Sequence, residues 1–180
     1  MSQAYVLFDR DGTLIKHVHY LIDPSKVELL ANSALGLEML KNFGFRFGII
    51  TNQSVINRGL ATEDQVKAVN NRVIELFQFE GIDFDFILYC PHTPDEVCDC
   101  RKPAVALGQQ AINEYDINPT ISFMLGDQPS DVIFGLQLGF RSIKIGDEMH
   151  IQPQADFHAK DLLEAAHWIT SNTQKGQVFK

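Results

Sequence analysis

Residues 4–13 read AYVLFDRDGT. Ala4–Phe8 is an apolar run with aromatic and β-branched members and no polar break, the pattern of a buried strand. It stops at once in Asp9, Arg10, Asp11, Gly12 and Thr13. Two carboxylates two residues apart on an extended chain project to the same side. Gly12 allows the backbone to turn sharply behind them. Two like charges this close repel, so holding both ionised calls for a cation.

Outward from this stretch, strand and helix alternate. Leu14–Pro24 reads as a loop carrying His17, His19 and Tyr20. Ser33 is placed to cap a helix over 34–43, closed by Gly44. Phe47–Ile50 is a second buried strand, ending in Thr51, Asn52, Gln53 and Ser54. Thr62 and Gln65 form a capping box for a long helix whose apolar face is Val66, Val69, Val73, Leu76 and Phe77. Further strands are expected at 84–89, 121–125 and 142–145. Further helices are expected from Pro103 to about 115, from Pro129 to about 138, and from Asp161 to about 169. This alternation defines an α/β protein with a mainly parallel sheet. Such sheets bind ligands beyond the carboxyl ends of their strands. Asp9/Asp11, Thr51/Asn52 and Asp127 each follow a different strand, so one sheet edge gathers them into one site.

With 180 residues, 45% of them hydrophobic, the chain fits one domain over 1–170, followed by a polar, flexible tail over 171–180. The net charge of −8 argues against nucleic acid or an anionic membrane as a partner. It also means that a site for a phosphate ester must be made locally cationic. No apolar run approaches a membrane span, and a strand beginning near residue 4 leaves no room for a signal peptide, so a cytoplasmic protein is expected. Neither the oligomeric state nor the natural substrate follows from composition; a monomer or small homo-oligomer acting on a small molecule is the expectation.

The acid pair suits phosphoryl transfer. A carboxylate is a competent nucleophile toward phosphorus, and a second carboxyl group can protonate the leaving oxygen and then activate water. Thr51 offers a hydroxyl and a backbone N–H to phosphoryl oxygens. Lys102, in Cys-Arg-Lys-Pro, is expected at the mouth of the helix opened by Pro103, where its charge would add to the helix dipole. Asp127 and Asp131, in GDQPSD, sit where a strand meets a helix and suit a hard cation; Asp131 also reads as an ordinary first-turn acid. Mg²⁺ fits an all-oxygen site of this kind.

All three cysteines fall in a second motif, Cys90-Pro-His92-x5-Cys98-x-Cys100. Three thiolates and an imidazole satisfy a tetrahedral Zn²⁺ with no open position, which implies a structural metal. Its task would be to pin the 90–100 loop and aim Arg101 and Lys102. The alternative is a loop of free cysteines or a Cys98–Cys100 redox pair.

DRDGT, ITNQ, the lysine of Arg-Lys-Pro and GDxxxD resemble, in order, the four motifs of the haloacid dehalogenase (HAD) superfamily of phosphatases. The resemblance implies a Rossmann-like three-layer α/β sandwich without a large cap domain. It makes Asp9 the nucleophile and Asp11 the general acid/base, with Thr51 and Lys102 holding the phosphoryl group. Mg²⁺ would be held by Asp9, the backbone carbonyl of Asp11 and Asp127, with Asp131 in support. The zinc loop is similar to the branch that holds the D-glycero-D-manno-heptose 1,7-bisphosphate phosphatases and the histidinol-phosphate phosphatases. TNQSVINRG resembles the heptose enzymes' TNQSGIARG, whereas CPHTPDEVCDCRKP resembles the histidinol-phosphate enzymes. His17, His19, Tyr20, Asn52, Gln53, Ser54, Arg58 and Arg101 become the expected substrate contacts. Val55 replaces a glycine of the branch, Val18-His19-Tyr20 replaces His-Gly-Tyr, and Gln128 replaces a lysine.

A heptose bisphosphate is therefore the expected substrate, with histidinol phosphate as the alternative. A phospho-receiver domain would also use aspartate, threonine, lysine and Mg²⁺, but needs neither Asp11 nor a zinc loop. A zinc-stabilised pseudoenzyme would need the motifs only for binding.

Overall fold

The computed structural model describes residues 2–146, 154–174 and 178. Six strands form one wholly parallel sheet in the order β3-β2-β1-β4-β5-β6. They are β1 (Tyr5–Phe8), β2 (Arg46–Asn52), β3 (Phe86–Cys90), β4 (Phe123–Gly126), β5 (Arg141–Ile145) and β6 (Phe157–Ala159). The helices are α1 (Ser33–Phe43), α2 (Glu63–Phe79), α3 (Ala106–Glu114), α4 (Pro129–Gln137) and α5 (Leu162–Ser171).

Alternation along the strands divides the core. Val6 and Phe8 face a cluster with Phe47, Ile49 and Leu125, covered by Leu37 and Leu40 of α1, Val69, Val73 and Phe77 of α2, and Ala165 and Ile169 of α5. Tyr5 and Leu7 face the opposite cluster, with Met124, Ala111 of α3 and Phe134 of α4. Both faces of β1 are thus sealed, which is why its sequence is apolar throughout rather than alternating.

β1 lies between β2 and β4, so the chain reverses its winding direction beside it. The crevice at such a reversal is where open α/β sheets bind ligands. Register puts Phe8 opposite Leu125 and Ile49, and the Asp9 N–H donates to the Leu125 carbonyl at 2.9 Å. Asp9 therefore leaves the sheet level with the last residue of β4, and Asp127 follows one step later.

Several boundaries differ from the sequence reading. Pro103 does not open a helix. Its bond to Lys102 is cis, the Ala104 N–H closes a turn on the Arg101 carbonyl, and α3 begins at Ala106. Asn52 fixes this turn by accepting from the Lys102 N–H at 3.0 Å and donating to the Lys102 carbonyl at 3.1 Å. Asn32, not Ser33, occupies the cap position of α1; the Ser33 hydroxyl donates to the Leu30 carbonyl. Phe84 precedes β3 and packs among Phe8, Phe47 and Phe77. Ile121 ends a 3-10 turn started by Asn118, so β4 begins at Phe123.

β6 is a strand the sequence reading lacks; three residues carry no periodic signal. The loop after Asp11 is zipped at its base by Lys16 N–H to the Glu28 carbonyl and Leu30 N–H to the Leu14 carbonyl. No helix among the described residues is long and apolar enough to cross a membrane. Of the expected tail, Ser171 closes α5 and Val178 is buried, while 175–177, 179 and 180 lie outside the described residues.

Candidate active site

At the carboxyl ends of β1, β2 and β4 lies a cavity of about 360 Å³. Asp9, Asp11, Thr51, Lys102, Asp127 and Asp131 all line it. The Lys102 ammonium lies 2.7 Å from Asp9 Oδ1 and 2.8 Å from Asp131 Oδ1, and also donates to the Ile50 carbonyl. Lys102 is 3% exposed, so these contacts are shielded from water. Burial opposes its charge, but the two carboxylates prevail and hold its pKa above the ordinary lysine value.

Carboxyl oxygens of Asp9, Asp127 and Asp131 come within 4.8 Å of one another. Three carboxylates around one ammonium leave two negative charges in surplus. The strain of that surplus is visible in both partners that are not the first strand's. Burial, with the Asp9 charge adding, pushes Asp131 up to about 6 against the pull of Lys102. Burial and the Asp9 carboxylate also raise Asp127, and its Oδ1 is buried with no hydrogen-bond partner. An orphaned carboxylate oxygen in an all-oxygen cluster, short of two positive charges, fits Mg²⁺.

Asp131 serves the fold as well: its Oδ2 accepts the Gln128 N–H at 3.0 Å at the start of α4. Two glycines make room for the cluster. A Cβ on Gly126 would lie 2.2 Å from Asp131 Oδ2. One on Gly12, whose φ is +78°, would lie 2.5 Å from Asp127 Oδ2.

Asp11 is handled differently. Its Oδ2 accepts from Arg10 Nη2 at 2.8 Å, Arg10 Nε at 3.1 Å and Gln53 Nε2 at 2.8 Å. The same Gln53 amide reaches Thr51 Oγ1 at 3.0 Å.

Known proteins resemble this chain in sequence and in fold. A HAD-hydrolase-like family model matches residues 99–165. The chain is 36% identical over 136 residues to D-glycero-beta-D-manno-heptose-1,7-bisphosphate 7-phosphatase of Pasteurella multocida, covering 72% of this chain and 74% of that protein. The chain belongs to the HAD-like phosphatase family. It is also 34% identical over 151 residues to the histidine biosynthesis bifunctional protein HisB of Actinobacillus pleuropneumoniae. That match covers 82% of this chain but only 42% of HisB, so the chain spans about two-fifths of that relative's length. In fold, this HAD phosphatase is similar to D,D-heptose 1,7-bisphosphate phosphatase from B. bronchiseptica, crystallised with magnesium and phosphate. The TM-score is 0.84 at 22% identity, over 95% of this chain and all of the other.

The remaining expected residues divide. His17, His19, Tyr20, Ser54 and Arg101 line the cavity of the HAD domain. The His19 and Tyr20 rings lie against each other, with centroids 3.9 Å apart. Asn52 and Gln53 also border it, but their side chains are engaged by the Lys102 backbone and by Asp11 and Thr51. Arg58 does not line the cavity; it is exposed, and its Nε points to Ser54 Oγ at 3.4 Å.

Cys90, His92, Cys98 and Cys100 converge as the spacing suggested. Cys90 Sγ lies 3.8 Å from Cys98 Sγ and 2.8 Å from Cys100 Sγ, and His92 Nδ1 lies 3.3 and 3.2 Å from Cys90 and Cys100 Sγ. Ligands tetrahedrally disposed on zinc stand roughly 3.5–3.8 Å apart, a spacing that Cys90 and Cys98 meet while Cys100 and His92 lie closer in. Without a cation, burial pushes the Cys90 and Cys100 thiols up, so three sulfurs gathered here suit a metal that would hold them deprotonated. The Arg101 guanidinium donates to the His92 carbonyl at 3.0 Å, tying the cluster to the cavity wall.

Sequence reasoning missed Arg10 and Asn70. Arg10 is 1% exposed, and its Nη1 donates to Asn70 Oδ1 of α2 at 2.6 Å. A signal existed. Arg10 lies between two residues that point to the other side of an extended chain, so it must point inward. Asn70 is the polar member of the buried stripe Val66, Asn70, Val73, Phe77.

Proposed function

We propose that this chain is a Mg²⁺-dependent phosphatase that hydrolyses a small sugar bisphosphate, D-glycero-D-manno-heptose 1,7-bisphosphate at its 7-phosphate. The observation that carries this reading is the Asp9–Lys102–Asp131 cluster with Asp127, set beside Asp11 and Thr51 at one strand edge. Asp9 attacks phosphorus in line, the ester P–O bond breaks, and Asp11 gives its proton to the leaving alkoxide. The carboxylate of Asp11 then takes a proton from water as its oxygen attacks the aspartyl-phosphate, releasing phosphate and restoring Asp9. Lys102 and the Thr51 hydroxyl hold phosphoryl oxygens. Asp9, Asp127 and the Asp11 carbonyl, with Asp131 behind, would hold Mg²⁺, whose charge would let one anion approach another. Cys90, His92, Cys98 and Cys100 would hold a structural Zn²⁺, and Arg101 is tied to that cluster through the His92 carbonyl.

The HisB relatives favour a second reading, hydrolysis of histidinol phosphate, over a larger share of this chain. The cavity argues for the bisphosphate. Among the described residues the carboxylates lining it are the four motif aspartates, and Arg101, His17 and His19 line it too. An ammonium on the product side would meet no free acid there, whereas a second phosphate would meet Arg101.

Phosphate release from both anomers of heptose 1,7-bisphosphate, histidinol phosphate and simple sugar phosphates tests the substrate. Asp9→Asn should abolish turnover and leave the melting temperature within about 3 °C, since Lys102 keeps its pairing with Asp131 and one of three crowded carboxylates loses its charge. Turnover persisting in a clean Asp9→Asn preparation would remove Asp9 from its role. No Mg²⁺-dependent release from any of these esters would favour a binding-only protein or a receiver domain.

A further inference from the structure

Arg10 and Asn70 are buried, polar and unused by the mechanism above. Arg10 sits between the two motif aspartates and bridges Asp11 to α2. Its guanidinium makes one bond to Asn70 at 2.6 Å and forks two bonds onto Asp11 Oδ2. Gln53 adds a third donor to that same oxygen. Asp11 Oδ1 is buried and takes no donor at all. The two oxygens of one carboxylate are therefore held in opposite states. Three N–H groups on Oδ2 fix how the carboxyl group is turned.

We infer that Asn70 is a positioning residue for proton transfer: through Arg10, and with Gln53, it fixes the plane and rotation of the Asp11 carboxyl group. The inference rests on the phosphatase reading and extends it to a residue of α2 whose side chain accepts from Arg10. A guanidinium has three nitrogens in one plane. Pinning Nη1 from behind leaves Nε and Nη2 to define the plane and rotation of the Asp11 carboxyl. Without that pin, Arg10 and Asp11 can turn together, and the proton donor loses its aim. Asn suits the place because its carbonyl accepts while adding no charge to compete with Asp11 for the guanidinium.

The test uses leaving-group chemistry, which a merely structural role would not move. p-Nitrophenolate departs with little help from an acid, whereas an alkoxide needs a proton as the bond breaks. Turnover at saturation is compared for p-nitrophenyl phosphate and for heptose 1,7-bisphosphate, or histidinol phosphate if that is the alkyl ester hydrolysed. Asn70→Ala should lose about tenfold or more on the alkyl ester and less than about threefold on the aryl ester, a partial loss of general-acid catalysis. Asn70→Gln, which retains a neutral carbonyl acceptor for Arg10, should recover most of the alkyl-ester rate. Equal losses on the two esters, no loss, or an Asn70→Gln enzyme no better than Asn70→Ala overturn the inference. Should Asn70→Ala fail to fold, Gln53→Met removes the third donor to Oδ2 and carries the same comparison. A wild-type protein that hydrolyses neither ester with Mg²⁺ present refutes the phosphatase reading instead.

Discussion

Replacing Lys102 by Met removes the ammonium that bonds Asp9 and Asp131 while keeping the length of the side chain. Lys102 bonds both Asp9 and Asp131 in a site shut off from water, so there is no solvent screening to soften the change. Removing one partner of a buried ion pair costs about 3–5 kcal/mol. For 180 residues the unfolding entropy is about 0.4 kcal/mol/K, so the metal-free variant should melt about 10 °C below the wild type at about pH 7.5. The pH dependence has a definite sign. Asp131 already has a folded-state pKa pushed up to about 6, so the metal-free native state binds its proton more tightly than the unfolded chain does. Stability is then highest on the acid side and falls as pH rises from about 4 through 6. Without Lys102 that trend steepens, and the gap between variant and wild type should narrow as pH falls from about 7.5 to about 5. Mg²⁺ at about 10 mM should restore part of the lost stability at the higher pH, because it supplies the missing charge. Turnover should not return with it, since no cation replaces the ammonium on the phosphoryl group. Melting curves by circular dichroism at both pH values, with and without Mg²⁺, check all of this. A variant melting within about 2 °C of the wild type without Mg²⁺ at about pH 7.5, or a gap that widens on acidification, refutes the charge argument.

Purified protein should hold about one zinc per chain by atomic emission. Cys98→Ser should lose it and melt at least about 5 °C lower, and full zinc retention in that variant would remove Cys98 from the ligand set. Gly12→Ala would drive a methyl group against the Asp127 carboxylate from a left-handed backbone position, at a cost of about 1–2 kcal/mol. The Mg²⁺ concentration for half-maximal activity should rise about tenfold, and an unchanged Mg²⁺ titration would count against Asp127 as a ligand. Arg101→Ala should raise KM for the bisphosphate about tenfold and leave a simple monophosphate within about twofold; equal effects on both would place Arg101 at the transferred phosphate.

What was legible in the sequence were the points where an apolar run stops dead in polar residues. Phe8–Asp9 and Gly126–Asp127 each mark a strand's carboxyl end and Ile50–Thr51 lies two residues short of one, and a parallel sheet must bring such ends together. The Cys/His cluster was legible because the loop holds every cysteine of the chain. What failed depends on contacts between segments far apart in sequence. Pro103 reads locally as a helix start, but Asn52 clamps the Lys102 backbone from the neighbouring loop and postpones α3 to Ala106. Lys102 therefore owes its position to that clamp and to Asp9 and Asp131, not to a helix terminus. Gln53 was read as a substrate contact from its place beside Thr51, yet its amide is committed to Asp11 and Thr51. Spacing locates a side chain at the site; it does not tell which of its neighbours captures it.

The apparent conflict between a chain of net charge −8 and an anionic substrate resolves at the scale of the cavity. Arg10 offsets Asp11 by direct contact, and Lys102 offsets one of Asp9 and Asp131. Two negative charges remain, the number that one divalent cation cancels. With the floor neutral, Arg101 at the cavity wall becomes the uncompensated group and the field turns favourable for a phosphate. At distances beyond a Debye length of roughly 8 Å the other surface acids are screened and have little say. Attraction for the ester therefore depends on prior occupation of the carboxylate cluster. The raised pKa values of Asp127 and Asp131 are the cost of keeping that cluster ready for a cation.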